Sequence, residues 1–215
     1  MKLYSFFRSS AAYRVRIALA VKGLEYETVA KHLRRGGGEQ KRADYLAVNP
    51  QGLVPTLDDG GVVVPQSLAI LEYLEEAYPK SPRLLPERPA DRAAVRAMAL
   101  AVACDVHPLN NLRVLNYLKA ELGQSEETTN VWIRHWIGEG FRALEQSIRT
   151  HTGDGRHCFG SAVTLADVCL VPQVYNARRF AADLASFPTL FAVSESLERL
   201  PAFAAARPEA QPDAE

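Results

Sequence analysis

The spacing of apolar and polar positions changes character near residue 80. Before it, compact apolar runs of strand type alternate with helical patterns. Lys2 to Phe6 is short and aromatic, as strands often are. Ser9 and Ser10 then offer N-caps. Ala11 to Lys22 has the alanine, arginine and leucine content of a helix, and Gly23 is its stop. Tyr26 to Ala30 predicts a second strand, and Glu39 to Ala47 a short helix closed by Asn49-Pro50. Val54 to Leu57 and Val62 to Val64 flank Asp59-Gly60-Gly61, a hairpin signal. Ser67 is placed to cap a helix running to Tyr78, with Leu68, Ile70 and Leu71 apolar and Glu72, Glu75 and Glu76 polar.

Pro79, Pro82, Pro86 and Pro89 mark a linker by composition. The sequence after it is helical almost throughout. Ala90 to Leu122 is interrupted by Pro108, which must kink or split it. Val131 to Ile148 puts Ile133, Ile137 and Leu144 on one face, and Trp132 and Trp136, one turn apart, read as core. Gly153, Gly155 and Gly160 mark a loop. Thr164-Leu165-Ala166-Asp167 reads as a capping box with Asp in place of Glu. Pro188 opens the last helical stretch, and the Pro- and Ala-rich end from Arg207 is expected to fray. The order strand, helix, strand, helix, strand, strand, helix gives a mixed four-stranded sheet flanked by helices. This predicts an α/β thioredoxin-like domain over residues 1–80 and an all-α domain over residues 90–215. Ser9-Ser10-Ala11-Ala12 stands where a Cys-x-x-Cys would open the first helix. A disulfide exchanger is thereby excluded, because that chemistry needs a resident thiol.

Composition narrows the class. The chain has 215 residues, 47% of them hydrophobic, which suits one domain or two small ones. Its 25 basic and 25 acidic residues cancel. Sequence-independent nucleic-acid binding, which rests on phosphate neutralisation, is not expected. No apolar run approaches the roughly 18 residues that cross a bilayer. Arg8 interrupts the start too soon for a signal peptide. Cys104, Cys158 and Cys169 cannot all pair within the chain and suit a reducing, cytoplasmic setting. Cys104 lies one turn before His107, but no orienting third group is in range, and a free cysteine is usually a buried small hydrophobe. No third and fourth ligand exists for a zinc site, so no metal is expected.

The run Arg8-Ser9-Ser10-Ala11-Ala12-Tyr13-Arg14-Val15-Arg16-Ile17-Ala18-Leu19 resembles the zeta-class signature of glutathione transferases. Asn49-Pro50-Gln51-Gly52-Leu53-Val54-Pro55, Gln66-Ser67-Leu68-Ala69-Ile70, His107-Pro108-Leu109-Asn110-Asn111 and Leu170-Val171-Pro172-Gln173-Val174 fit the same class, so the resemblance spans nearly the whole chain. It departs at Ala11, where many zeta members have cysteine. The resemblance implies the glutathione transferase architecture and a homodimer. It implies glutathione as cofactor, and cis–trans isomerisation of maleylacetoacetate or maleylpyruvate as the reaction. The small-molecule substrate is then a dicarboxylate keto acid.

On that resemblance, glutathione is expected at Ser9, Ser10, Gln40, Val54, Gln66 and Ser67, with His107, Asn111 and Arg113 from the helical half. Val54-Pro55 is the place for a cis bond; a trans bond at a strand start is the alternative. Backbone N–H groups at the Gln66-Ser67 helix start suit the γ-glutamyl carboxylate, and Ser67 as a plain N-cap is compatible with that. Gln40 matches a contact to the glycine end; a solvated loop side chain is the alternative. A free thiol with pKa about 8.5 is mostly protonated at neutral pH. A hydroxyl donor and a helix N-terminus both favour the thiolate. Ser9 is the first choice for that hydroxyl, and Ser10 the second.

A dicarboxylate substrate calls for arginines, whose planar fork matches a carboxylate. Arg8 and Arg179 are the leading candidates and are expected to grip the substrate from opposite domains. Arg113 resembles the maleylpyruvate branch. Arg14 is weighed as well, although an arginine on a first helix is usually a surface or packing residue. His107 is read either as a donor to glutathione or substrate or as a cap on the Pro108 kink. Two other activities stay open: a transferase acting on small α-halo acids, and a non-catalytic binding protein on the same fold. The retained serines and arginines argue against the second.

Overall fold

Four short strands form one mixed sheet in the order β2-β1-β3-β4. They are β1 (Lys2–Ser5), β2 (Glu27–Ala30), β3 (Thr56–Asp59) and β4 (Val62–Pro65). β1 pairs with β2 in parallel and with β3 antiparallel, and β3 pairs with β4 antiparallel. In this computed structural model, which describes Met1–Glu215, the predicted element order holds. The β3–β4 turn is Gly60-Gly61, both at positive φ (63° and 98°), where side-chain-bearing residues are strained.

The register fixes where function can sit. Tyr4 faces Thr56, and Thr56 faces Pro65. Ser5 faces Ala30 in the parallel pair. The end of β1, the start of β3 and the ends of β2 and β4 therefore lie along one edge of the sheet. The turn to the first helix, Val54-Pro55, the loop after β2 and Gln66-Ser67 all emerge there.

Helix α1 (Ser10–Lys22) is buried almost all round, including Arg14, Arg16 and Lys22. Gly23 ends it at φ 65°, with its N–H returned to the last turn. The helix predicted over Glu39 to Ala47 resolves into a 3-10 turn, Glu39–Lys41, and one turn of helix, α2 (Ala43–Leu46). α3 runs from Ser67 to Ala77. Its N-cap is Gln66, so Ser67 is the first helical residue and not the cap expected from sequence.

The compact units do not follow the compositional boundary. One comprises Met1–Leu84 with Arg199–Glu215, the other Leu85–Glu198. The end of the chain packs on α1 through α9 (Pro201–Ala205) instead of joining the helical unit. It is also ordered where fraying was expected. Gln211 is buried and donates to the carbonyls of Ala205 and Arg207, and Pro208–Ala210 forms a 3-10 turn.

The helical unit holds α4 (Pro89–Leu100), α5 (Leu112–Ala120), α6 (Glu126–His151), α7 (Leu165–Arg179) and α8 (Pro188–Glu198). Pro108 does split the long pattern. A π-helical turn covers Ala101–Val106, and a 3-10 turn covers Pro108–Asn110. α6 starts earlier than predicted because Ser125 caps it by accepting the Thr128 N–H. Trp132 and Trp136 form an edge-to-face pair 5.6 Å apart at half-buried positions, so they flank the core instead of filling it. The capping box of α7 is present: buried Asp167 accepts the Thr164 N–H and hydroxyl and the Cys158 N–H. Burial pushes the Asp167 carboxyl up from its ordinary pKa, and burial beside Asp167 pushes the Cys158 thiol up. No helix is long and apolar enough to cross a membrane.

Candidate active site

Ser9 is the N-cap of α1. Its Oγ accepts the Ala12 N–H at 3.2 Å, and its own N–H donates to the Phe6 carbonyl at 2.9 Å. Capping uses a hydroxyl lone pair and leaves the proton for donation. Ser9 is partly exposed, whereas Ser10, the first residue of the helix, is buried. No acidic side chain lies in the first turn of α1 to offset the positive end of its dipole. Ser9 thus offers a hydroxyl donor to an anion at a helix N-terminus. Arg8 is half-buried, with its guanidinium 4.9 Å from the Phe7 ring centroid.

The Val54–Pro55 bond is cis. A buried polar network holds both sides of it. Tyr45 donates its hydroxyl to the Leu53 carbonyl at 2.6 Å and shares a hydrogen bond with Thr56 Oγ1 at 2.9 Å. Asn49 Nδ2 donates to the Leu53 carbonyl at 2.9 Å and to Thr56 Oγ1 at 3.0 Å. Burial raises the Tyr45 phenol, so it stays a donor at neutral pH. In the sequence, Asn49 closes the predicted helix and opens the Asn49-Pro50-Gln51-Gly52-Leu53-Val54-Pro55 motif, but nothing there assigns it, Tyr45 or Thr56 to this network. The signal was Asn49-Pro50 followed within six residues by Pro55.

Gln66 has φ 71° and ψ 120°, a left-handed conformation strained for a residue with a side chain. It sets the entry to α3 and donates through Nε2 to Gln51 Oε1 at 2.8 Å. Behind it, buried Ser67 accepts Arg14 Nη1 at 3.2 Å. Arg14, weighed from sequence as a substrate arginine, is instead directed at Ser67 and puts a buried positive charge under the N-terminus of α3. A carboxylate there meets helix N–H groups, the dipole and that charge together.

Gln40 is buried, 7% exposed, which rejects the solvated-loop alternative. Its Nε2 donates weakly to the Leu33 carbonyl at 3.4 Å, while Oε1 is buried without a hydrogen-bond partner. Such an orphan acceptor points to a missing donor, as a peptide N–H supplies. Gly38 permits this packing: a Cβ there would lie 2.7 Å from the Gln40 amide, and its φ is 105°.

The helical unit carries the remaining candidates. His107 follows the π-helical turn, and its N–H reaches back to the Val102 carbonyl at 2.9 Å. Such turns often mark functional positions. Asn111 caps α5 by accepting the Arg113 N–H at 3.1 Å, and the Arg113 side chain is exposed. Arg179 is exposed in the last turn of α7, 5.4 Å from the Phe180 ring centroid. Its neighbour Arg178 grips Glu198 through both carboxylate oxygens. Cys104 is exposed, not the buried hydrophobe expected. No group of three or more His, Cys, Asp or Glu is placed to hold a metal ion.

Residues 1–76 match the glutathione S-transferase N-terminal domain family. The chain is 56% identical over 212 residues to a probable maleylacetoacetate isomerase of Vibrio cholerae, covering 99% of this chain and 97% of that one. The chain belongs to the maleylacetoacetate isomerase family of zeta-class glutathione transferases. A holo structure of a bacterial zeta-class maleylpyruvate isomerase superposes with a TM-score of 0.95 at 47% identity, both chains covered completely. A maleylacetoacetate isomerase of Methylobacterium extorquens, solved with malonate and glutathione, superposes with a TM-score of 0.94 at 44% identity, again over all of both chains. In this zeta-class chain the position of the signature cysteine is Ala11, 8% exposed, so no thiol of the protein stands beside Ser9 and Ser10.

Proposed function

We propose that the protein is a glutathione-dependent cis–trans isomerase that converts maleylacetoacetate to fumarylacetoacetate in aromatic amino-acid breakdown. Family membership supports the reaction class. The observation that carries the chemistry is Ser9, a half-exposed cap at the N-terminus of α1 whose hydroxyl keeps its proton. When bound, glutathione supplies the thiol that adds reversibly to the substrate's cis double bond and lets it rotate.

In this reading the chain's residues divide the work. The Ser9 hydroxyl and the α1 dipole hold the sulfur in its anionic form, with Ser10 behind. The Gln66-Ser67 end of α3, backed by Arg14, takes the γ-glutamyl carboxylate. The Val54 backbone pairs with the cofactor's peptide, and Gln40 takes the glycine end. On the family resemblance, His107, Asn111 and Arg113 are the cofactor residues proposed for the helical unit. Arg8 and Arg179 hold the carboxylate and keto oxygens of the substrate and stabilise the enolate charge as it develops. The Methylobacterium enzyme was solved with malonate and glutathione bound, and malonate is a dicarboxylate, as the proposed substrate is. The same reading includes a cytoplasmic homodimer, on the family resemblance.

Maleylpyruvate is the second substrate to test, because the holo maleylpyruvate isomerase matches this chain end to end. The experiment is glutathione titration by calorimetry with steady-state isomerisation of both substrates, for wild type and Ser9→Ala. Ser9→Ala is expected to lower kcat by about 10²–10³, the range for a lost donor to a reacting anion, with glutathione affinity little changed. Absence of glutathione binding at millimolar concentration overturns the reading. Unchanged turnover in Ser9→Ala moves the role to Ser10.

A further inference from the structure

The turn that carries Arg8 and Ser9 is held from two sides by groups outside it. Phe7 is the centre of that arrangement. Its N–H donates to Asp213 Oδ2 at 2.9 Å, across 206 residues of sequence. Its carbonyl accepts Arg16 Nη2 at 2.8 Å. Arg16 is 1% exposed and spends its other donors nearby: Nη1 on Ser5 Oγ at 3.2 Å and Nε on the Ala206 carbonyl at 3.1 Å. Burial lowers the Arg16 guanidinium to about 10, so it stays charged at neutral pH. The Ala206 carbonyl and Asp213 both belong to the chain end, which is braced by Gln211.

We propose that the chain end Ala206–Glu215 is a positioning element of the Ser9 turn, with Asp213 and Arg16 as its two positioning residues. Asp213 holds the Phe6–Phe7 peptide through its N–H. Arg16, itself seated against Ala206, holds the Phe7–Arg8 peptide through its carbonyl. Each peptide unit is planar, so holding the two units that flank the Phe7 Cα restrains its φ and ψ and sets the direction in which the chain leaves toward Arg8 and Ser9. The Phe6 carbonyl then receives the Ser9 N–H, which fixes the cap. Neither residue touches the reacting atoms; both act through the turn. Loss of aim by about 1 Å at a catalytic group costs on the order of 10²-fold in rate.

This inference rests on the reading of Ser9 as the sulfur's donor, and the experiment separates the two. The variants are Asp213→Ala, Asp213→Asn, Ser9→Ala and the double variant Asp213→Ala with Ser9→Ala, in the full chain. Amide hydrogen exchange on the glutathione-free protein reports the turn directly. Asp213→Ala should speed exchange at Phe7 and Ser9 while β3 and α3 stay protected. It should lower kcat by roughly tenfold or more, with glutathione affinity within about twofold and little change in Tm. Asp213→Asn keeps an oxygen acceptor for the Phe7 N–H and should restore most of the rate. In the Ser9→Ala background the Asp213→Ala change should cost little further, because coupled residues are not additive. Wild-type kcat and unchanged exchange in folded Asp213→Ala overturn the inference while leaving Ser9 in place. A full additive loss in the double variant overturns it as well, since the effect then does not run through Ser9. A wild-type rate in Ser9→Ala alone removes the parent reading.

Discussion

Arg14 Nη1 donates to Ser67 Oγ at 3.2 Å, with both residues buried at the junction of α1 and α3. The contact leaves Ser67, expected from sequence to bind glutathione as well as to cap the helix, polarised by a full positive charge. Arg14→Met keeps similar bulk and removes that charge. Glutathione affinity should fall about tenfold, near 1.5 kcal/mol for one charged hydrogen bond. Calorimetry with glutathione and with cysteinylglycine, which lacks the γ-glutamyl carboxylate, checks the assignment. Equal losses for both ligands would show that Arg14 does not serve that carboxylate.

Arg8 and Arg179 are expected to serve the substrate and not the cofactor. Replacing either by Lys retains charge but loses the planar fork. kcat/KM should fall by roughly one to two decades, about 1.5–3 kcal/mol per charged hydrogen bond. Glutathione affinity should not change in Arg179→Lys. Steady-state kinetics on maleylacetoacetate and maleylpyruvate is the measurement, and a wild-type kcat/KM on both substrates in Arg179→Lys removes that residue from the site.

The strands, the hairpin and the cis-proline site were legible because local rules govern them: period, Gly60-Gly61, and Pro55 after an apolar residue. The strand register then brings Ser9, Val54 and Ser67 to one end of the sheet. The roles of Arg14, Arg16, Asn49 and Asp213 were not legible. Arg14, Arg16 and Asp213 reach partners 53, 190 and 206 residues away, and nothing local marks those partners; Asn49 acts four and seven residues on, through side-chain bonds set by how the loop folds. The chain end misled because its Pro and Ala content signals fraying, whereas Asp213 ties it to the Phe7 N–H across 206 residues and Gln211 braces it locally on the Ala205 and Arg207 carbonyls. Ser67 was off by one position because Gln66 adopts a conformation that propensity assigns to glycine.

Lys22 is buried and pairs with buried Glu75, and it also donates to Ser81 Oγ and the Pro82 carbonyl, both at 3.1 Å. Glu75 in turn accepts the Leu84 N–H at 2.9 Å. The cluster ties α1 and α3 to the proline-rich linker. Lys22→Met strands a buried carboxylate and should cost about 3–5 kcal/mol. Adding Glu75→Leu should recover part of that loss, because no uncompensated charge remains. Chemical denaturation of the single and double variants measures it; a double variant less stable than Lys22→Met would show that the Glu75 bond to Leu84 outweighs the ion pair.

Asp59 accepts two phenols, from Tyr73 at 2.9 Å and Tyr78 at 2.5 Å. The hydrogen bond to this carboxylate, aided by partial desolvation, pushes Tyr78 up to about 12 and raises Tyr73 in the same direction. The protonated phenol is the form the folded state prefers. The contribution to stability is therefore fully present below the ordinary tyrosine pKa near 10 and lost as pH rises through about 12. Ultraviolet titration of tyrosine ionisation should show a late fraction among the eight tyrosines. Tyr26 and Tyr45 are also raised, by burial, and should stay late in every variant that leaves the fold intact. Asp59→Ala should move only Tyr73 and Tyr78 back toward 10 and flatten the alkaline fall in stability between pH 10 and 12. An unchanged titration curve in Asp59→Ala would show that the carboxylate does not hold these phenols in solution.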